Sequence, residues 1–269
     1  MKIRVWSFSL VELLIVIAIL AILSSLLSPA LKTALETGRV IHCANQLKGL
    51  SIAQGLYIGN NDEYYTPVAT GLSVTWDDLL SPYDGRNLSN TQIGWNYFSH
   101  DSMSSQYLKN SSQGYICPSE KNEYLLNGLG APDHMILKTY AINGEGSTNN
   151  PATPPSGISN YPSDTMPALS KKSFQVPDSS GTILLSGLVT SYRRNRVGAI
   201  ASNANHGLTR SARNNYNSSN TGDTGGLDHR IIPHGNDNMW NYLFCDGHVE
   251  LLFTLDTISP RNMWTADFD

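Results

Sequence analysis

Residues Leu13 to Leu23 read LLIVIAILAIL, and no polar group interrupts them. With the flanking residues from Phe8 to Leu27 the apolar stretch is about 20 residues, or about 30 Å as a helix, the thickness of a bilayer's hydrocarbon core. Lys2 and Arg4 precede it, which predicts a cytoplasmic amino end and a carboxy-terminal bulk on the other side. Two plain accounts fit such a segment. One is a secretory signal peptide, with Ser24, Ser25 and Ser28 loosely supplying the small residues of a cleavage site. The other is a passive anchor. Glu12 argues against both. A carboxylate in a membrane helix costs about 2.5–3.5 kcal/mol at mid-bilayer and less near the interface. A passive anchor has no use for it, whereas a fixed positive partner would relieve the charge.

The rest of the 269 residues reads as a globular, turn-rich head. Charged residues are 15% and the formal net charge is −4. No basic patch stands out, so nucleic acid is not an expected partner. The three cysteines, Cys43, Cys117 and Cys245, form no CxxC. A Cys43–Cys117 disulfide suits an oxidising compartment; three buried thiols acting as small hydrophobes suit the pattern equally.

Pro29 is placed to interrupt the helix where it leaves the membrane. Beyond it Val40, Cys43, Ala44, Leu47, Leu50, Ala53 and Tyr57 recur at three- and four-residue steps, which predicts a helix face packed on the head. Gly59-Asn60-Asn61-Asp62 reads as its stop. Near the carboxy end, Trp240 to Cys245 and His248 to Phe253 read as two strands. Asp246-Gly247 between them has the preferred composition of a two-residue type I′ turn.

His229, His234, Asp246 and His248 lie within twenty residues and are weak candidates for a metal site. Asp223, Asp228 and Asp237 add oxygen ligands that would suit calcium better than zinc. No known ligand spacing supports the group. Two long irregular stretches, 143–170 and 192–235, carry Tyr161, Arg193, Arg194 and Arg196 as surface contact residues. No G-x-S-x-G, P-loop or G-x-G-x-x-G occurs, and no spacing singles out a Ser–His–Asp triad. An enzyme is not expected, and no cofactor is implied.

Phe8-Ser9-Leu10-Val11-Glu12-Leu13-Leu14 resembles the F-T-L-I-E-L-L motif that begins type IV pilins and type II secretion pseudopilins. The resemblance implies removal of a basic leader between Ser7 and Phe8 by a prepilin peptidase, N-methylation of Phe8, and Glu12 as the fifth residue of the mature chain. Ser7 stands where the family usually has Gly. In assembly, Glu12 of an incoming subunit would pair with the Phe8 amino group of its neighbour. Losing the leader also removes Lys2 and Arg4, leaving the chain two charges more negative than −4.

Further matches run along the chain. Cys43 to Lys48 resembles the C-A-N-N-L-K stretch of one pilin-like group, and Trp76 to Tyr83 resembles its W…L.PY segment. Tyr115 to Ser119 resembles F-x-C-P-S, and Thr139 to Asn143 resembles S-Y-A-x-N. His234 with Asp246-Gly247 resembles the H-x(n)-D-G signature, with eleven intervening residues where nine is usual.

The resulting expectation is an α+β chain in which a long amino-terminal helix packs on an antiparallel sheet with long loops. It divides into a leader over 1–7, a membrane helix over 8–28, an amphipathic continuation over 29–62 and a β-rich head over 63–269. The function implied is that of a filament subunit of a type II secretion or type IV pilus system. It would be held once through the inner membrane with its head in the periplasm, and its partners would be other subunits and an inner-membrane assembly platform. The alternative expectation is a membrane-tethered module that binds a glycan or metal without polymerising.

Overall fold

A computed structural model describes residues 9–67, 69–70, 74–89, 113–119, 140–145, 157–160, 170–187, 199–201, 239–253, 256–257 and 260–266. Helix α1 runs unbroken from Leu10 to Asn60, 51 residues or about 76 Å. Its polarity changes along its length. From Leu10 to Leu35 every residue is exposed, and the first fully buried position is Cys43. From there Leu47, Leu50, Ala53 and Gln54 are buried, with Tyr57 and Ile58 packed at the margin of the same core. The predicted stripe is therefore the packed face, because steps of three and four keep side chains on one side of a 3.6-residue turn.

The break expected at Pro29 does not occur: helical backbone continues through it. The proline has no N–H for the carbonyl of Ser25. The local polar groups bond within the helix, Ser25 Oγ donating to the Ile22 carbonyl at 2.7 Å and Thr33 Oγ1 to the Pro29 carbonyl at 3.2 Å. The helix ends where Gly59 to Asp62 suggested. Asn61 caps it, and Asp62 and Glu63 turn the chain back through left-handed backbone at φ 49° and 67°.

Short strands β1 (Ala69–Thr70) and β2 (Val74–Thr75) pair antiparallel and lead into a one-turn helix, α2 (Trp76–Leu80). The main sheet is built from β3 (Tyr140–Glu145), β4 (Ser159–Asn160), β5 (Ile183–Gly187), β6 (Ala199–Ala201), β7 (Met239–Phe244) and β8 (Val249–Phe253). Strands β3, β5, β7 and β8 form an antiparallel four-stranded centre in that order. Strands β4 and β6 both pair with β3 in parallel, an addition to the antiparallel sheet that was expected. The class is α+β, a long helix laid on a sheet.

Both faces of β7 are covered, which is why its last five residues are all buried. Asn241 points toward α1, its Nδ2 donating to the Val40 carbonyl at 2.9 Å. Tyr242, on the other face, packs edge-on against Trp264 of the carboxy-terminal segment at 6.0 Å between ring centroids. Asn143 ties that segment to the sheet, donating to the carbonyls of Ile183 at 2.7 Å and Trp264 at 3.0 Å. Each large apolar side chain taken from water here contributes about 1.5–3 kcal/mol, so the sheet centre is the stable core of the head.

A second, polar cluster holds the 113–119 segment to α2. Arg86 Nε donates to Asp84 at 2.7 Å, the Tyr115 hydroxyl donates to the same carboxylate at 2.6 Å, and the guanidinium sits 4.2 Å above the Tyr115 ring. Arg86 also donates to the Asp77 carbonyl. Burial pushes the Tyr115 hydroxyl well above its usual range; Arg86 opposes this and Asp84 adds to it.

Candidate functional site

The first turn of α1 is a reciprocal cap. Ser9 has extended backbone and its Oγ accepts the Val11 N–H at 3.3 Å, while the Glu12 carboxylate accepts the Ser9 N–H at 2.9 Å. Ser9-x-x-Glu12 is the capping-box pattern, so this role was legible in the sequence although only Glu12 was singled out. A carboxylate here also sits favourably at the positive end of the helix dipole. Ser7 and Phe8 lie outside the described residues. Phe8 adjoins Ser9 in the chain, so an amino group created at Phe8 would be one residue from the N–H that Glu12 already accepts. The acid thus has a local partner within its own chain, which any partner from another subunit must outcompete.

Behind Glu12 the helix is bare. Thirteen large apolar side chains between Leu10 and Leu27 are exposed, from Leu10 at 79% to Val16 at 46%. At about 1.5–3 kcal/mol for each side chain, removing them from water is worth about 20–40 kcal/mol. This exceeds the 2.5–3.5 kcal/mol cost of a carboxylate at mid-bilayer by about an order of magnitude. Length and composition make this helix long and apolar enough to cross a membrane, and the presence of Glu12 does not outweigh the apolar gain such a crossing would bring.

At the far end of the helix the candidate hairpin is joined to α1. Lys48 Nζ donates to the Gly247 carbonyl at 2.9 Å, and Ser51 Oγ lies 3.5 Å from the same oxygen. The turn differs from the two-residue type I′ form expected. Strands β7 and β8 last pair at Leu243 and Val249, the Gly247 N–H donates to the Phe244 carbonyl at 3.0 Å, and Phe244 N–H donates to the His248 carbonyl at 2.9 Å. Only Gly247 of the pair has positive φ, +90°. A longer loop with a single left-handed glycine replaces the tight turn, because Asp246 caps it from its side chain. Its Oδ1 accepts the His248 N–H at 3.0 Å and lies 2.6 Å from His248 Nδ1. The His248 ring stacks on Phe244 at 4.2 Å. Desolvation raises the Asp246 carboxyl, but the hydrogen bonds from His248 outweigh it and hold the group below its usual value.

Of the four weak metal candidates, the structure brings Asp246 and His248 together as partners of each other. His229 and His234 lie outside the described residues, as do Asp223, Asp228, Asp237, Tyr161, Arg193, Arg194 and Arg196. No group of three or more His, Cys, Asp or Glu side chains suited to a metal occurs among the described residues.

Cys43 and Cys117, the candidate disulfide pair, are present here as buried thiols. The Tyr140 hydroxyl touches both, lying 3.1 Å from Cys43 Sγ and hydrogen-bonding Cys117, and it also donates to Gln46 Oε1 at 2.8 Å. Burial, then the two thiols, push this hydroxyl far above its usual range. The third thiol, Cys245, is separate, at the hairpin turn beside Tyr65. Desolvation pushes Cys245 up to about 12, which disfavours its thiolate at neutral pH.

Comparison with protein-family models, characterised proteins and solved structures finds no match for this chain.

Proposed function

We propose that this chain is a pilin-like filament subunit, held in the inner membrane by the Leu10–Leu27 portion of α1 with its head in the periplasm. A prepilin peptidase cuts between Ser7 and Phe8, the new terminus is N-methylated, and the mature subunit joins others on a membrane platform through packed amino-terminal helices. The observation that carries this reading is an acid, Glu12, at the start of a helix whose apolar Leu10–Leu27 portion is left exposed among the described residues. A passive anchor gains nothing from the acid, whereas an assembling helix can use it to set axial register against a neighbour's amino group. The S-x-x-E cap sharpens the proposal. It gives Glu12 a resting partner in the unassembled subunit, so assembly exchanges one hydrogen bond for a charged pair instead of exposing a bare carboxylate.

Mass spectrometry of the chain recovered from membranes tests this reading. A terminus at methyl-Phe8 supports it. An intact Met1, or a start beyond Ser28, overturns it and favours the tethered or the secreted account respectively.

A further inference from the structure

We propose that Cys43 and Cys117 form a disulfide that staples helix α1 to the 113–119 segment of the head, leaving Cys245 as a lone thiol. The geometry carries the pairing. One oxygen, Tyr140 Oη, lies 3.1 Å from Cys43 Sγ and also hydrogen-bonds Cys117, and the Glu36–Ser119 bond lays the 113–119 segment against the same helix, so both sulfurs lie around a single atom. The backbone on both sides is already fixed. Two turns before Cys43 on the same helix face, Glu36 Oε1 accepts from Ser119 Oγ at 3.1 Å. On the other side of Cys117, Tyr115 is locked by Asp84 and Arg86. Joining the sulfurs at about 2.05 Å would therefore link two segments already held together by polar contacts on either side. The bond also leaves Tyr140 satisfied, since its hydroxyl keeps Gln46 as acceptor after the thiol protons are gone. Cys245 lies apart from this pair, at the hairpin turn beside the Tyr65 hydroxyl.

Both sulfurs are nearly solvent-free, Cys43 at 0% and Cys117 at 1%, so the bond forms while the head is folding, before they are enclosed. The oxidant is a disulfide-bearing oxidoreductase or a small-molecule disulfide. The thiolate of one cysteine attacks a sulfur of that disulfide, and the leaving thiolate takes a proton. The second cysteine, as thiolate, then attacks the mixed disulfide. This closes Cys43–Cys117 and leaves the oxidant's two sulfurs as thiols, on one chain for the oxidoreductase or on two molecules for the small disulfide, which together carry both protons and both electrons. In cells the step rests on the extracytoplasmic placement of the head proposed above.

The test uses the full chain, unfolded and reduced in denaturant and then refolded into detergent micelles in a glutathione redox buffer. Free thiols are trapped with iodoacetamide under denaturing conditions and the peptides are mapped. The expected result is a Cys43–Cys117 linked peptide with Cys245 alkylated. Alkylation of all three cysteines, or a link that includes Cys245, overturns the pairing. C43S, C117S and the double variant should show the same drop in melting midpoint, about 5–15 °C, and reductant should lower the wild type to that level. Additive single-variant losses would instead mean independent packing roles. The same mapping on membranes from cells lysed into iodoacetamide separates the two ideas: a link formed in buffer but absent in cells overturns the periplasmic placement and not the pairing.

Discussion

The Trp240 indole occupies the space beside Gly187 so closely that a Cβ at position 187 would overlap the ring. Gly187 ends β5 and Trp240 lies near the start of β7, the neighbouring strand. Gly187→Ala should therefore destabilise the head by about 1–3 kcal/mol through overpacking, read as a lower midpoint in chemical denaturation. Adding Trp240→Leu should recover part of the loss. An unchanged midpoint in Gly187→Ala would show that the indole is free to move away.

Gly247 has two reasons to be glycine. Its backbone is left-handed and its α-carbon faces Ser51 Oγ. Gly247→Ala should cost about 1–2 kcal/mol. Ser51→Gly in the same chain should remove only the contact part, so a double variant restored fully to wild-type stability would show that backbone strain contributes nothing.

Glu12→Ala should leave membrane insertion intact, since the apolar segment dominates the transfer, while subunit-to-subunit crosslinking in membranes falls. Glu12→Gln keeps an acceptor for the Ser9 N–H but carries no charge. If crosslinking depends on the charged pair, Gln should resemble Ala; if the cap alone matters, it should resemble the wild type.

Asp178 supplies a pH test on the head. Hydrogen bonds from Arg261, Ser180 and the Gly181 N–H lower its carboxyl from 3.8 to about 2. A carboxyl lowered in the folded state contributes stability that is complete above its unfolded value and lost as pH falls through the folded one. Between about pH 4 and pH 2 the wild type should lose stability more steeply than Asp178→Asn, measured as urea midpoints across that range. Parallel curves for the two proteins would remove Asp178 from the acid response.

What could be read in the residues was what repeats locally. The stripe through Cys43, Leu47, Leu50 and Ala53 has helical period, and Trp240, Tyr242 and Phe244 alternate as a strand must. The Asp-Gly turn signal located the hairpin but not its length, because a side-chain bond from Asp246 to the His248 N–H competes with the backbone turn. Strands β4 and β6 are two and three residues long, too short for any period to declare itself. Arg86 meets Tyr115 and Tyr140 meets Cys43 across large sequence separations, and nothing local in the sequence announces such pairs. Ser9 was the exception, visible as half of a capping box yet overshadowed by Glu12.

The exposed start of α1 also sets how far the head would stand from a bilayer if Leu10–Leu27 spans one. With Leu10–Leu27 spanning the hydrocarbon, the nine residues from Ser28 to Glu36 rise about 13 Å before the Glu36–Ser119 bond marks the first grip of the head. The headgroup layer on one side is only about 5–7 Å deep. In the proposed membrane placement the described part of the head would therefore stand clear of the lipid surface, carried on about two turns of exposed helix.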